Sequence, residues 1–334
     1  MAKNILKPSD KLNKILIASG SQNREVSLNA TAEFAKALEL PLRQGILSGD
    51  ILNGIFEPIP LENNASSEFP LHYRSPGTEK DFVAYTIPNQ GYIPQRNIEG
   101  DFVMVPTYDI GNAIDWNLKY ARDARWDVIG DATEDLKAGF IKKINDDGFH
   151  CLLGAGVDRN LVVADSDANA GQFTKRLVSL MKTVVRRNGG GNSTSTNRSR
   201  LTDLYLSPEA MEDIRNWNVD QLDEVTRREI YVAADGAVSR IFGVNLHDLD
   251  ELGEGQEYQL YATSQLGVTM PSNKVELVIG LDQSKRNSLV MPVREELQIF
   301  EDDTLHRQRR AGLYGWMTCG FAVLDGRVVV LGAI

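Results

Sequence analysis

Cysteine is nearly absent from the chain. Cys151 and Cys319 are the only two in 334 residues and lie 168 positions apart, which builds neither a disulfide framework nor a zinc ribbon. Histidine is equally scarce. His72, His150, His247 and His306 stand singly, so spacing defines no metal set and no nucleophile triad. Long apolar runs are missing too, and nothing approaches the roughly 20 consecutive apolar residues of a membrane-spanning helix. No apolar h-region follows Met1, Ala2, Lys3 and Asn4, so no secretory signal is expected. Nor is there a basic excess. The 36 Lys and Arg against 46 Asp and Glu leave a formal charge of -10, the wrong sign for a non-specific duplex binder. What is present is ordinary: 42% hydrophobic and 25% charged residues. The expectation is a cytosol-made soluble protein of about two domains, at roughly 150 residues per domain.

Motif-bearing segments fall short of known chemistry. Gly189-Gly-Gly191 follows a helical run and lacks the Lys-Ser/Thr of a phosphate loop. Gly154-Ala-Gly156 has Arg159 where a dinucleotide fingerprint needs glycine. Asp165-Ser-Asp167-Ala-Asn169 spaces oxygens like the start of a calcium loop, but Ala170 and Arg176 stand where the loop needs glycine and glutamate. A turn or capping role is expected there. His150 adjoins Cys151, which is not triad geometry, and His306 sits among Arg307, Arg309 and Arg310. No catalytic, cofactor-binding or metal residue is assigned. Trp116, Trp126, Trp217 and Trp316 lie in amphipathic or alternating patterns and read as core or interface packing.

Seven of the twelve prolines fall between residues 56 and 106: Pro58, Pro60, Pro70, Pro76, Pro88, Pro94 and Pro106. Between them, Phe82–Ile87 and Phe102–Val105 read as strands, with turns at Pro76-Gly77 and Gly100-Asp101. This stretch either packs as a β-rich loop on its own chain or reaches another chain as a two-stranded arm. An isolated hairpin is marginal in water and would need a partner surface. Next, Ile114, Leu118, Ala121, Val128, Ala132, Leu136, Phe140 and Ile144 recur mostly three or four apart, interrupted by Arg125. They predict a spine helix of about 35 residues and roughly 50 Å, capped by Asn112 and Gly148, with Gly130 and Gly139 as weak points. A second helix is predicted over Phe173–Arg187, ending in Asn188-Gly189-Gly190-Gly191, then a mobile loop over Asn192–Arg200. Leu204–Leu206 reads as a strand, and Ser207-Pro208 as a helix start that places Met211, Ile214 and Trp217 on one face. Asp220 is a candidate cap for another short helix. From Val275 the period changes to two. Strands are predicted at Val275–Ile279, at Glu295–Phe300 and over Leu313–Leu324, with a hairpin turn at Asp325-Gly326 before Val328–Val330. Helices followed by strands argue α+β.

Charge is segregated. Residues 168–202 hold seven basic side chains and no acid: Lys175, Arg176, Lys182, Arg186, Arg187, Arg198 and Arg200. Residues 203–257 hold fourteen acids against four arginines. These are either two solvated faces of one domain or two halves of a head-to-tail interface between identical subunits, which closes into a ring when the rotation permits.

The order of these features carries a resemblance. It lies in the Pro-rich β stretch, the spine helix and the helix-bearing centre with its loop. The closing strands add Val293-Arg-Glu-Glu-Leu-Gln-Ile-Phe300 and Arg309-Arg-Ala-Gly-Leu-Tyr-Gly-Trp-Met-Thr-Cys-Gly-Phe-Ala-Val-Leu-Asp-Gly-Arg327. Together they resemble the major capsid proteins of tailed double-stranded DNA bacteriophages, the Hong Kong type of capsid fold. Tyr205-Leu-Ser-Pro-Glu-Ala-Met-Glu-Asp-Ile-Arg215 is similar to a phrase common in that family's central domain. The resemblance covers essentially the whole chain in order, through diffuse motifs. It implies an extended N-terminal arm at 1–55, an extended loop at 56–106, a peripheral domain at 107–153 with 280–334, and an axial domain at 154–279. It also implies a non-enzymatic, cofactor-free structural protein of the virion, assembled in the host cytoplasm. Hexameric and pentameric capsomers would form an icosahedral shell that encloses double-stranded DNA without reading its sequence. Portal, scaffolding and decoration proteins are the implied partners, with no membrane. An acidic balance suits a lining that must not adhere to packed DNA.

Two features depart from the family pattern. Some members carry a cleaved scaffolding segment, whereas this chain runs from Met1 straight to the arm, which implies a separate scaffold or prior removal. Some cross-link through a Lys–Asn isopeptide bond. Lys80 is the only lysine of the extended loop, and no Asn–Glu partner pair is evident. The alternatives are an encapsulin-type compartment shell and, from another class, a soluble hydrolase with an unrecognised site.

Overall fold

The computed structural model describes residues 10–49, 51–62, 65–71, 101–158, 162–188, 199–217, 240–271 and 273–334. In chain order its helices are α1 (Asp10–Ser19), α2 (Arg24–Gly49), α3 (Leu118–Arg122), α4 (Trp126–Asp158), α5 (Lys175–Asn188), α6 (Pro208–Arg215) and α7 (Glu257–Ser264). The early strands are β1 (Glu57–Pro60), β2 (Glu68–Leu71), β3 (Asp101–Met104), β4 (Tyr108–Asn117), β5 (Val162–Ala164) and β6 (Asp203–Leu206). The later ones are β7 (Arg240–Ile241), β8 (Val244–Asp248), β9 (Leu277–Leu281), β10 (Leu289–Glu301), β11 (Arg310–Cys319), β12 (Ala322–Val323) and β13 (Val329–Ala333). The architecture is α+β, in two compact units. The predicted Phe82–Ile87 strand, the turn at Pro76-Gly77, Lys80 and the helix capped by Asp220 lie outside the described residues. So does most of the predicted loop, residues 192–198.

The first unit comprises residues 1–67, 104–148 and 290–322. Its N-terminal part is helical rather than extended. Phe34, Leu38, Leu42 and Ile46 recur at four-residue spacing along α2 and are buried, as is Leu16 of α1; that stripe drives both segments into helices against the unit's core. A sheet with strand order β1-β10-β11-β4, and β12 beside β10, forms the other layer. β4 and β11 pair antiparallel over ten residues, from Tyr108↔Cys319 to Asn117↔Arg310. The Phe34 ring stands edge-on to Trp116, with centroids 6.2 Å apart, and 6.0 Å from Trp126.

The spine helix exists but starts later than its spacing predicts. Residues 108–117 are committed to β4, and Ala124 adopts a φ of 50° in the break between α3 and α4, next to the interrupting Arg125. Asn112 is therefore no helix cap. Its Nδ2 donates to the Leu136 carbonyl oxygen at 3.2 Å, and a Cβ at Gly139 would collide with that amide. Gly130, Gly139 and Gly148 all lie inside the 33-residue α4, whose buried stripe runs through Ile129, Leu136, Phe140 and Ile144.

The second unit comprises residues 68–103, 149–289 and 323–334. Its sheet has the order β5-β13-β9-β6-β8-β7. Every residue of β6, β9 and β13 is buried, so the alternation expected around Val275–Ile279 gives way to continuous runs covered on both faces. Gly280 of β9 is where layers meet: an added Cβ would lie 2.7 Å from Leu201 Cδ1 and 2.8 Å from Val330 Cγ1. The expected hairpin at Asp325-Gly326 does not form. The Asp325 carboxylate accepts from Arg327 N at 3.0 Å and caps a single 3-10 turn. The chain then enters β13, which pairs with β5 and β9 rather than with β11. β2 and β3 form a separate two-stranded sheet.

Candidate functional site

Among the described residues, no group of three or more His, Cys, Asp or Glu is arranged to hold a metal, and no helix is long and apolar enough to cross a membrane. The glycine, aspartate, histidine and cysteine segments that resemble functional motifs have packing or capping partners. Gly156 lies in α4, where a Cβ would meet Leu331 Cγ at 2.7 Å. Asp165 accepts from Asp167 N at 3.2 Å and from Thr174 Oγ1 at 2.7 Å, making a turn rather than a calcium loop. His150 stacks on Tyr261 with centroids 3.7 Å apart, and His306 Nε2 lies 3.4 Å from the Ser21 carbonyl oxygen. Both cysteines are free thiols. Burial pushes the Cys151 thiol up to about 11, so it stays protonated and is a poor nucleophile.

A basic groove lies in the second unit. Leu177, Val178, Met181 and Val185 bury one face of α5. That leaves Lys175, Ser179, Lys182 and Arg186, at helical spacing, along the opposite side. Thr174 starts the helix, its Oγ1 accepting from Leu177 N at 3.2 Å. The groove, about 1150 Å³, runs along this side of α5 and is walled by Ser199, Arg200, Leu201 and Phe242. Among the described residues no carboxylate lines it, although Arg176, which does, pairs with Asp165 and Asp167. Arg200 N donates to the buried Asp282 carboxylate at 2.9 Å, which ties that wall to the end of β9. Lys182 Nζ donates to the Phe242 carbonyl oxygen at 2.6 Å. Phe242 is 42% exposed and stands at the tip of the β7–β8 hairpin. Both turn residues have positive φ, 49° at Phe242 and 75° at Gly243, a conformation a bulky side chain rarely takes.

A group of acids gathers elsewhere in the same unit. Glu209 and Asp213 stand on α6, Asp248 ends β8, Asp250 and Glu254 follow it, and Glu276 precedes β9. Burial raises the Glu276 carboxyl. Ser207 Oγ, donating at 2.7 Å, counters this in part, and the charges of Glu209, Glu254 and Asp213 raise it further. Asp248 is raised by burial and then by Asp250. Asp203 goes the other way: burial opposes its charge, but hydrogen bonds from His247, Thr202 and Asn245 outweigh that and lower its pKa. His247, 2.8 Å from Asp203 and stacked on Tyr205 at 4.7 Å, ties β8 to β6.

The raised Glu276 makes a prediction. A carboxyl raised by folding binds protons in the folded state that the unfolded chain has released, so stability grows as pH falls from the raised value to the ordinary one. Glu276→Gln should therefore be more stable than the parent at neutral pH, with the difference fading near the ordinary glutamate value. Denaturant titrations at the two pH values check this; equal stabilities at neutral pH would contradict it.

No protein-family model and no curated protein matches the chain. Solved structures do. One from Microbacterium phage Oxtober96 superimposes with a TM-score of 0.59 at 11% identity, over 86% of this chain and 90% of its own. The cyanophage Pam1 capsid asymmetric unit gives a TM-score of 0.56 at 14% identity, over 84% and 88%. A structure from Mycobacterium phage Bobi gives 0.54 at 12% identity, over 85% and 89%. The chain has the phage major capsid fold. In this capsid fold the basic groove combines the segment singled out by its charge with Phe242, which carried no signal of its own. Arg198 lies outside the described residues.

Proposed function

We propose that the chain is a structural subunit of an icosahedral phage shell, built from hexameric and pentameric capsomers around double-stranded DNA. The observation that carries this is the capsid-like fold extending over most of this chain and of each phage chain compared. The role needs no catalysis: many modest contacts, multiplied in a closed assembly, hold a shell. In this proposal the first unit supplies the peripheral domain and the second the axial domain, which moves residues 149–153, 280–289 and 323–334, expected from the sequence in the peripheral domain, to the axial one. Residues 56–106 overlie a neighbouring copy, and the N-terminal segment adds a further intersubunit contact. Portal, scaffolding and decoration proteins would complete the virion.

Negative-stain microscopy and size-exclusion chromatography of the purified protein test this. Capsomers or megadalton particles are expected, with nucleic acid in particles isolated from infected cells. Particles that enclose an enzyme instead would point to an encapsulin-type compartment. A small closed oligomer with no shells would overturn the shell role and favour a soluble enzyme.

A further inference from the structure

β6 and β8 run parallel, in register from Asp203↔Asn245 to Leu206↔Asp248. The chain enters β6 through Ser199, Arg200 and Leu201, and enters β8 through Phe242, all walls of the basic groove. It leaves β6 through Ser207 to Glu209, and leaves β8 through Asp248 to Asp250. β9 runs antiparallel to β6, which brings Glu276 to that same exit end. Arg200 therefore stands at one end of this strand pair and the acids at the other, while Arg176 of the groove already pairs with Asp165 and Asp167. Arg200 and the exit-end acids are held apart along their own sheet, but a second copy can bring them together. We propose that the basic groove of one copy receives the acidic strand-exit end of a second copy, Glu209, Asp248, Asp250 and Glu254, in a head-to-tail contact that propagates around a capsomer.

This rests on the shell role and names the edges that make it. Two observations favour a protein partner over nucleic acid at the groove. Its rim carries the exposed, left-handed Phe242, an aromatic anchor of the kind that dominates protein interfaces. And the unit's other end is acidic, in a chain of net charge -10, which phosphate would repel. A groove and its counterpart at opposite ends make a heterologous interface, the type that closes into rings. Complementary potentials set its register and speed its encounter.

Charge reversal tests the contact. Arg186→Glu with Arg200→Glu makes a copy with two acidic ends, and Asp250→Lys with Glu254→Lys makes a copy with two basic ends. All four side chains are exposed, so circular dichroism should show each variant folded. Alone, each is expected to lose capsomer formation. Mixed at equal amounts they should recover it, and only in rings with an even number of subunits, because the two variants must alternate; five-membered rings should be missing. Raising the salt to 1 M, where the screening length is about 3 Å, should slow assembly of the parent. Wild-type protein that assembles while the folded Arg186→Glu/Arg200→Glu variant also assembles, with or without loss of bound nucleic acid, overturns the contact and leaves the shell role standing. Wild-type protein that stays monomeric overturns both.

Discussion

Deleting residues 60–100, with a short Gly-Ser joint in their place, should abolish closed shells and leave a folded monomer. The deletion removes β2, the strand partner of β3, but from the first unit's main sheet it takes only Pro60 of β1. The β1 register with β10 over Glu57, Pro58 and Ile59 remains, as does the ten-residue pairing of β4 with β11. The first unit's main sheet is therefore kept, although the buried Ser67 and Phe69 are lost, and under the proposed role a contact is removed from every neighbour. In a closed assembly that loss is multiplied by the number of copies, so the expected result is none rather than fewer particles. Circular dichroism should be near that of the parent, while microscopy shows no shells. Intact particles from the deletion would mean that the segment is packed on its own chain.

The largest effect on the subunit itself is expected from Phe34→Ala, at about 3–5 kcal/mol. Phe34 is fully buried, and its ring joins α2 to Trp116 of β4 and to Trp126 at the start of α4. Its removal leaves a cavity between a helix and two indoles that cannot close without moving either β4 or α4. Tryptophan fluorescence in a denaturant titration reports on this place directly, since both indoles are contact partners. An unchanged midpoint would show that α2 is not anchored there.

Much of the second unit was legible in the residues. Ser207-Pro208 begins α6 as read, with Ser207 Oγ accepting from Ala210 N at 3.1 Å. The α5 run was off by two residues, because Thr174 rather than Phe173 marks its start. The charge segregation was visible as well, because it is written in consecutive residues. Which ends of the sheet the charges reach was not visible. That depends on β6 pairing parallel with β8, between segments about 40 residues apart, a long-range choice with no local signature. The first unit was harder to read. Ile114 fits a helical period with Leu118 and Ala121, yet the ten-residue partnership of β4 with β11 overrides that spacing. Residues 10–49 carry polar stretches that mask the four-residue stripe of Phe34, Leu38, Leu42 and Ile46. Asp325-Gly326 has the composition of a hairpin turn, but the strand that follows is captured by β5 and β9, whose combined buried face outcompetes a return to β11.

That capture has a consequence for timing. β13 lies between β5 and β9 and is drawn from residues 329–333, while β5 was made more than 160 residues earlier. During synthesis the sheet cannot close until these last strand residues have left the ribosome. Until then β9 lacks one neighbour, β5 has no partner, and Met181 of α5 lacks the Gly332 backbone against which it packs. A polypeptide whose residues 329–333 have not yet emerged is thus poorly equipped to join its finished siblings, and this unit becomes competent for assembly only once those five residues have taken their place between β5 and β9.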